Sequence, residues 1–274
     1  VLDAGFPLAV YNRTPAKAEA LVERGASLLS KPGEVLSEAD VGVTMLAADE
    51  ALEETVLGDG GILSGARPGT TLVDMSTVSV ASSARVARAA AGAGVHYLRA
   101  PVSGNPGTVR AGDAAIVVSG DESAFKAVEP LLEAIGPRVH LVGDAEQARV
   151  VKLALQVMLA GTAELMAEAL VLAEASGVAR ETLLEVMGAS AAGSPFVKYK
   201  TGPLLRDDYD ATFTTEMMLK DVELVLGLAG EQGVELPLTR GVRELLADAA
   251  RDRYADLDFM SLYLQLRERA ASGQ

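Results

Sequence analysis

Along the first half of the chain, apolar runs the length of strands alternate with amphipathic stretches the length of helices. Val41 to Leu46, Thr70 to Met75, Val95 to Leu98, Ala114 to Val118 and Val139 to Val142 are the apolar runs. They are too continuous for a sheet with one face in water, so they predict strands covered on both sides. Asp49 to Leu57, Val80 to Ala93 and Glu122 to Ile135 carry their apolar residues at helical spacing. At the start, Val1 to Gly5 reads as the last turn of a helix with Gly5 as its cap, and Phe6 to Tyr11 as a short strand. Pro15 to Arg24 reads as a helix with Thr14 as N-cap and Pro15 at its first position. The alternation predicts an α/β fold with a mostly parallel, Rossmann-like sheet. The pattern begins inside a βαβ unit, so the first strand of the usual arrangement is expected before residue 1.

The pattern changes near Asp144. One long helix is predicted from Ala145 to Ser176, stopped by Gly177, then helices at Arg180 to Met187, Thr212 to Gln232, Leu238 to Arg253 and Phe259 to Arg269. Residues 193–209, with Pro195, Gly202 and Pro203, read as loop. Two domains follow: a nucleotide-binding sheet domain over 1–144, lacking its first strand, and an all-α domain over 145–274 for substrate and dimerisation.

Composition narrows the classes. The chain is 49% hydrophobic with 4% aromatic residues and no Trp, so small apolar side chains do the packing. A net charge of −14 with no basic stripe argues against nucleic acid as a partner. The longest apolar stretch, Val150 to Met166, is interrupted by Lys152, Gln156 and Glu164, which argues against a membrane span. With no Cys, thiolate chemistry is excluded, and the two histidines, His96 and His140, lie in separate strands, so no metal site is expected. A cytoplasmic setting fits this composition.

Chemistry concentrates at strand ends, where open α/β sheets bind ligands. Asn12-Arg13-Thr14 follows the first strand, the place that faces the adenosine ribose in a doubly wound fold. An acid there would bond a free 2′-hydroxyl; Arg13 with its small polar neighbours suits a 2′-phosphate instead. The tripeptide alone serves equally well as a helix cap with a solvent-facing Arg. Thr44-Met45-Leu46-Ala47 and Asp74-Met75-Ser76-Thr77 close two further strands and read either as cofactor-facing turns or as ordinary helix caps. The G-x-G-x-x-G turn that normally precedes such a unit is absent. It is expected upstream, and a chain without it should bind cofactor weakly.

Asn12-Arg13-Thr14-Pro15, Thr44-Met45-Leu46, Asp74-Met75-Ser76-Thr77, Ala100-Pro101-Val102-Ser103-Gly104, Lys152 and Lys220-Asp221 resemble, in order and spacing, the β-hydroxyacid dehydrogenases. That group includes 3-hydroxyisobutyrate dehydrogenase, tartronate semialdehyde reductase and glyoxylate/succinic semialdehyde reductases. The resemblance covers nearly the whole chain. It implies a 6-phosphogluconate dehydrogenase-like helical C-terminal domain and a homodimer or higher homo-oligomer joined through the long helix. Arg13 makes NADP the expected cofactor, with NAD as second choice, and the resemblance implies a small-molecule substrate, a carboxylate. By the same resemblance Lys152 is catalytic, and Ser103 and Gly104 bind the substrate carboxylate. Asn12, Arg13, Thr14, Leu46, Ala47 and Thr77 line the cofactor, and Lys220 sits by nicotinamide and substrate. Four differences from the family pattern surround the implied carboxylate pocket: Arg99 for Asp, Asn105 for Gly, Thr108 for Gly and Gln156 for Asn. They leave the identity of the acid open.

Lys152 and Gln156 are one turn apart on an otherwise apolar helix. Read locally, Lys152 either snorkels or is held for chemistry. The helix start and the apolar neighbours both lower its pKa toward the range of an acid/base. It would protonate the developing alkoxide while Gln156 holds the substrate's oxygens; Asp221 would pair with Lys220. Two other readings stay open: an imine-reductase-like enzyme, which Lys152 argues against, and a non-catalytic cofactor-binding or interaction protein of the same fold.

Overall fold

A computed structural model describes residues 1–272 of the chain. It comprises two compact units, Val1–Lys152 and Leu153–Gln274.

In the first unit the elements run β1 (Ala9–Val10), α1 (Glu19–Val22), β2 (Ser27–Leu28), α2 (Val35–Glu38), β3 (Val41–Thr44), α3 (Asp49–Leu57) and β4 (Thr71–Asp74). They continue with α4 (Val80–Gly92), β5 (His96–Arg99), β6 (Val102–Ser103), α5 (Pro106–Arg110), β7 (Ala115–Ser119), α6 (Glu122–Glu133), β8 (Arg138–Gly143) and the start of α7 (Gln147–Ala175). β3, β4 and β5 pair in parallel, with Thr44 opposite Asp74 and Asp74 opposite Arg99. β7 pairs antiparallel with β5 and β6 and parallel with β8. β1 and β2 form a separate parallel pair. The expected parallel sheet is therefore mixed at one side, where β7 and β8 run opposite to β3, β4 and β5.

Two cores hold this unit. Val73, Leu98, Ile116, Val118 and Leu132 are fully buried in one, and Leu36, Leu52, Leu72 and Val86 in the other. Leu72 and Val73 are consecutive yet both buried, which explains why the strand patterns show no alternation. Side-chain caps start the helices: the Ser79 hydroxyl accepts from the Ser82 amide at 3.0 Å, and Asp121 Oδ1 accepts from the Ala124 amide at 2.8 Å. Thr14 does not cap by its side chain. Its own amide donates to Asn12 Oδ1 at 2.9 Å, and Pro15–Ala18 forms a 3-10 turn ahead of α1.

The second unit holds most of α7, then α8 (Arg180–Ala189), α9 (Pro195–Leu205), α10 (Thr215–Glu231), α11 (Pro237–Arg251) and α12 (Leu262–Ser272). Gly177, at φ 82°, ends α7 as its sequence position predicts. By length and composition α7 could cross a membrane. However, Ala160, Ala163, Met166, Ala167 and Leu170 are core residues of the helical unit. The segment read as loop over 193–209 is mostly helix. Ser194 caps α9 by accepting from the Val197 amide at 3.2 Å, and Pro195 takes the first position, where a missing N–H costs nothing. Pro203 falls in the last turn, and the burial of Val197 and Leu204 carries the helix through it.

Candidate active site

Asp74 ends β4 with no exposed surface. Its Oδ1 accepts from Thr44 Oγ1 at 2.9 Å, the Ser76 amide at 3.0 Å and Ser76 Oγ at 2.6 Å. Its Oδ2 accepts from Tyr97 OH at 2.9 Å and from the Arg149 guanidinium. Burial, then the neighbouring Asp74 carboxylate, pushes the Tyr97 phenol well above its ordinary pKa, so it remains a neutral donor. Ser76 Oγ in turn accepts from the Leu46 amide at 2.9 Å. One carboxylate thus orders the turns after β3 and β4, which hold the expected cofactor residues Leu46, Ala47 and Thr77. Leu46 and Thr77 are half-buried and Ala47 is exposed. Arg13 is exposed beyond the end of β1. The β3 and β4 ends are held in register, and Arg13 follows a strand of the separate β1–β2 pair; an exposed guanidinium there suits a 2′-phosphate.

Ser103 ends β6, half-buried, opposite Ala115 of β7. At Gly104 a side chain is sterically excluded: a Cβ there would lie 2.5 Å from Thr108 Oγ1. Asn105 and Thr108 form a reciprocal cap. The Thr108 amide donates to Asn105 Oδ1 at 3.0 Å, and the Asn105 amide donates to Thr108 Oγ1 at 2.8 Å. Those two amides are therefore already committed within the turn, which leaves Ser103 and Gly104 as the residues expected at a carboxylate. Arg99 is not directed at this turn. It is buried and ion-paired with Glu146, its Nε donating to Glu146 Oε1 at 3.0 Å. The departure from the family pattern at Arg99 thus has a partner at the start of α7, which sequence order alone does not bring together.

Lys152 is half-buried near the start of α7, between Val151 and the buried Leu153. In the helical unit, Gln156 is 2% exposed and donates its Nε2 to Asp221 Oδ2. Asp221 Oδ1 lies 2.8 Å from Lys220 Nζ, and Asp221 itself is buried. Gln156 and Lys220, both expected at the substrate, therefore converge on one carboxylate. Sequence reading gave Asp221 only the role of pairing with Lys220; its bond to Gln156, 65 residues away, is a tertiary fact. Gln156 Oε1 and Asp221 Oδ1 have no directed hydrogen bond, although both are buried. Asp221 Oδ1 has the Lys220 ammonium beside it, so Gln156 Oε1 is the buried acceptor here that suits the hydroxyl of a ligand. Among the described residues, no cluster of potential metal ligands is found.

Comparison with known proteins matches family models over residues 1–143 and 147–266. A family profile described as the NAD binding domain of 6-phosphogluconate dehydrogenase matches residues 1–143. A second, described as NAD-binding of NADP-dependent 3-hydroxyisobutyrate dehydrogenase, matches residues 147–266. Glyoxylate/succinic semialdehyde reductase 1 of Arabidopsis thaliana is 30% identical, over 96% of this chain and 91% of that protein. The 2-(hydroxymethyl)glutarate dehydrogenase of Eubacterium barkeri is 32% identical, over 87% of this chain and 80% of that protein. A solved structure of Mycobacterium tuberculosis 3-hydroxyisobutyrate dehydrogenase with L-serine superposes with a TM-score of 0.87 at 29% identity, over 97% of this chain and 92% of that one.

Proposed function

The chain belongs to the β-hydroxyacid dehydrogenase family, and on that premise we propose that it interconverts a small β-hydroxy acid and its semialdehyde with Lys152 as the acid/base. It is an NAD(P)-dependent oxidoreductase with an NADP-type ribose site centred on Arg13. The nicotinamide, when bound, supplies or accepts the hydride. Lys152 gives its proton to the alkoxide oxygen in reduction and takes it back in oxidation. Ser103 Oγ and the Gly104 peptide hold the substrate carboxylate. Gln156 Oε1 accepts from a substrate hydroxyl, with Asp221 fixing the amide's orientation, and Lys220 supplies positive charge. Asn12, Thr14, Leu46, Ala47 and Thr77 line the cofactor.

The observation that carries this reading is a half-buried lysine in the early turns of a helix whose first turn is bonded to the ends of the sheet strands. A panel of small semialdehydes and 3-hydroxy acids, followed by NADPH absorbance, tests it. Turnover of at least one of them is expected; a folded, cofactor-binding protein that turns over none overturns it.

The partner is a second copy of this chain. Met158, Leu165 and Leu172 recur every seven residues on α7 and are 66%, 55% and 70% exposed. They form an apolar stripe about 21 Å long at the helical rise, too large to leave in water by default. Sedimentation should give a dimer or a multiple of it, and a monomer would count against this stripe as an interface. A cytoplasmic location completes the reading, on a chain without cysteine.

A further inference from the structure

Four strands end in one lateral row. Thr44 stands opposite Asp74, Asp74 opposite Arg99, and Arg99 opposite Ser119. All four are polar and buried, on strands that are otherwise mostly apolar. Three of them grip the first turn of α7 or its cap. Asp74 takes the Arg149 guanidinium, and Arg99 takes Glu146. Ser119 Oγ donates to the Ala145 carbonyl at 2.6 Å and accepts from the Ala148 amide at 3.1 Å. Arg149 adds three further bonds, from Nη1 to the Ser76 carbonyl at 2.6 Å, from Nε to Ser83 Oγ at 3.2 Å and from Nη2 to Tyr97 OH at 3.1 Å.

Apolar side chains of similar volume would hold a helix on a sheet as firmly as buried ions do. A guanidinium fork adds direction, because its donors fix both rotation and axial position. The device ties together two parts of the chemistry. At one end, Asp74 and Ser76 hold the Leu46 amide and the turn leading to Thr77. At the other, Arg149 lies three residues before Lys152 on the same helix.

We propose that Asp74 and Arg149 act as a positioning pair that sets Lys152 in register with the cofactor-holding turns. The proposal rests on Lys152 being the acid/base. Neither residue is assigned to substrate or cofactor; both act through the elements they join.

Arg149→Lys tests this, because it keeps a buried cation beside Asp74 but loses the rigid fork whose separate nitrogens bond Asp74 and the Ser76 carbonyl. The measurement is single-turnover hydride transfer at saturating NADPH and saturating semialdehyde, the best one from the substrate panel, repeated with deuterated cofactor. The expected result is a near-native melting temperature, a rate about ten- to a hundredfold lower, as misplacement by about an ångström produces, and a larger isotope effect. The double variant Asp74→Asn with Arg149→Met, which leaves no buried charge unpaired, should show the same loss. A folded variant of either kind with the wild-type rate and isotope effect overturns the positioning role. Lys152→Met is run beside them: a wild-type rate there overturns the acid/base reading and this proposal with it. Loss in Lys152→Met alone overturns the positioning pair and leaves the acid/base standing.

Discussion

Asp74 in the sheet unit and Asp221 in the helical unit are both carboxylates with at most 1% of their surface exposed. Asp74 has hydrogen-bond donors on both oxygens from the β3 and β4 ends, Tyr97 and Arg149. Asp221 accepts from Gln156 on Oδ2 and has an ion pair with Lys220 on Oδ1. The contrast extends beyond these two. Among the described residues, most buried polar atoms without a hydrogen bond belong to the helical unit, including Gln156 Oε1 and both oxygens of Glu164. A saturated network has its low-energy geometry already and holds neighbours in place. An unsaturated one keeps bonding capacity that a ligand can take up. The sheet unit reads as the frame and the helical unit as the side that still has contacts to make.

The largest test of that division is Lys152, carried on the framed end of α7. Lys152→Met should leave fold and cofactor affinity intact, since volume is retained, and should lower single-turnover NADPH oxidation by about 10² to 10⁴. Lys152→Arg should not restore the rate, because a guanidinium keeps its proton. A Met variant near the wild-type rate would mean that the lysine only snorkels.

Next comes the frame itself. Arg149→Met or Asp74→Asn alone leaves a buried charge uncompensated and should cost about 3–5 kcal/mol in urea unfolding. The double variant should recover much of that loss. If each single change proves mild, the pair is not the saturated frame described here.

Glu164 probes the other side. Burial, then Glu168, pushes its carboxyl up from 4.5 to about 7, against the pull of Arg269. A raised carboxyl pKa means that the folded state holds the proton more tightly than the unfolded chain. Stability from this group is therefore full below about pH 4.5, is lost as pH rises toward 7, and stays lost above. Glu164→Gln should remove that slope and stabilise the protein at pH 8 by about 2–3 kcal/mol. Identical pH–stability curves for variant and wild type would show that Glu164 finds a partner in solution.

The smallest effect is expected at the exposed Arg13. Arg13→Ala should weaken NADPH binding by about 1.5–3 kcal/mol, roughly ten- to a hundredfold, with little change for NADH. Equal weakening of both cofactors would make Arg13 a structural residue of the β1 turn.

The sequence by itself determined the α/β-then-α order, the strands from β3 to β5 and β7 to β8, the long helix α7 and its stop at Gly177. Each rests on local periodicity or on a backbone preference carried by one residue. It also marked Asn12-Arg13-Thr14, Ser103-Gly104, Lys152 and Lys220-Asp221 as chemically unusual for their surroundings. The shortest elements, β2, β6, α2 and α5, were not legible, since a few residues carry too little periodic signal. Nor was α9, where Gly202 and Pro203 suggested a break that core packing overrides. Only the tertiary structure decided which polar residues meet. Arg99 with Glu146, Asp74 with Arg149 and Gln156 with Asp221 lie 47, 75 and 65 residues apart. Partners so far apart are chosen by strand register and helix docking, because a buried charge must end beside its complement, and no local pattern states which complement that is.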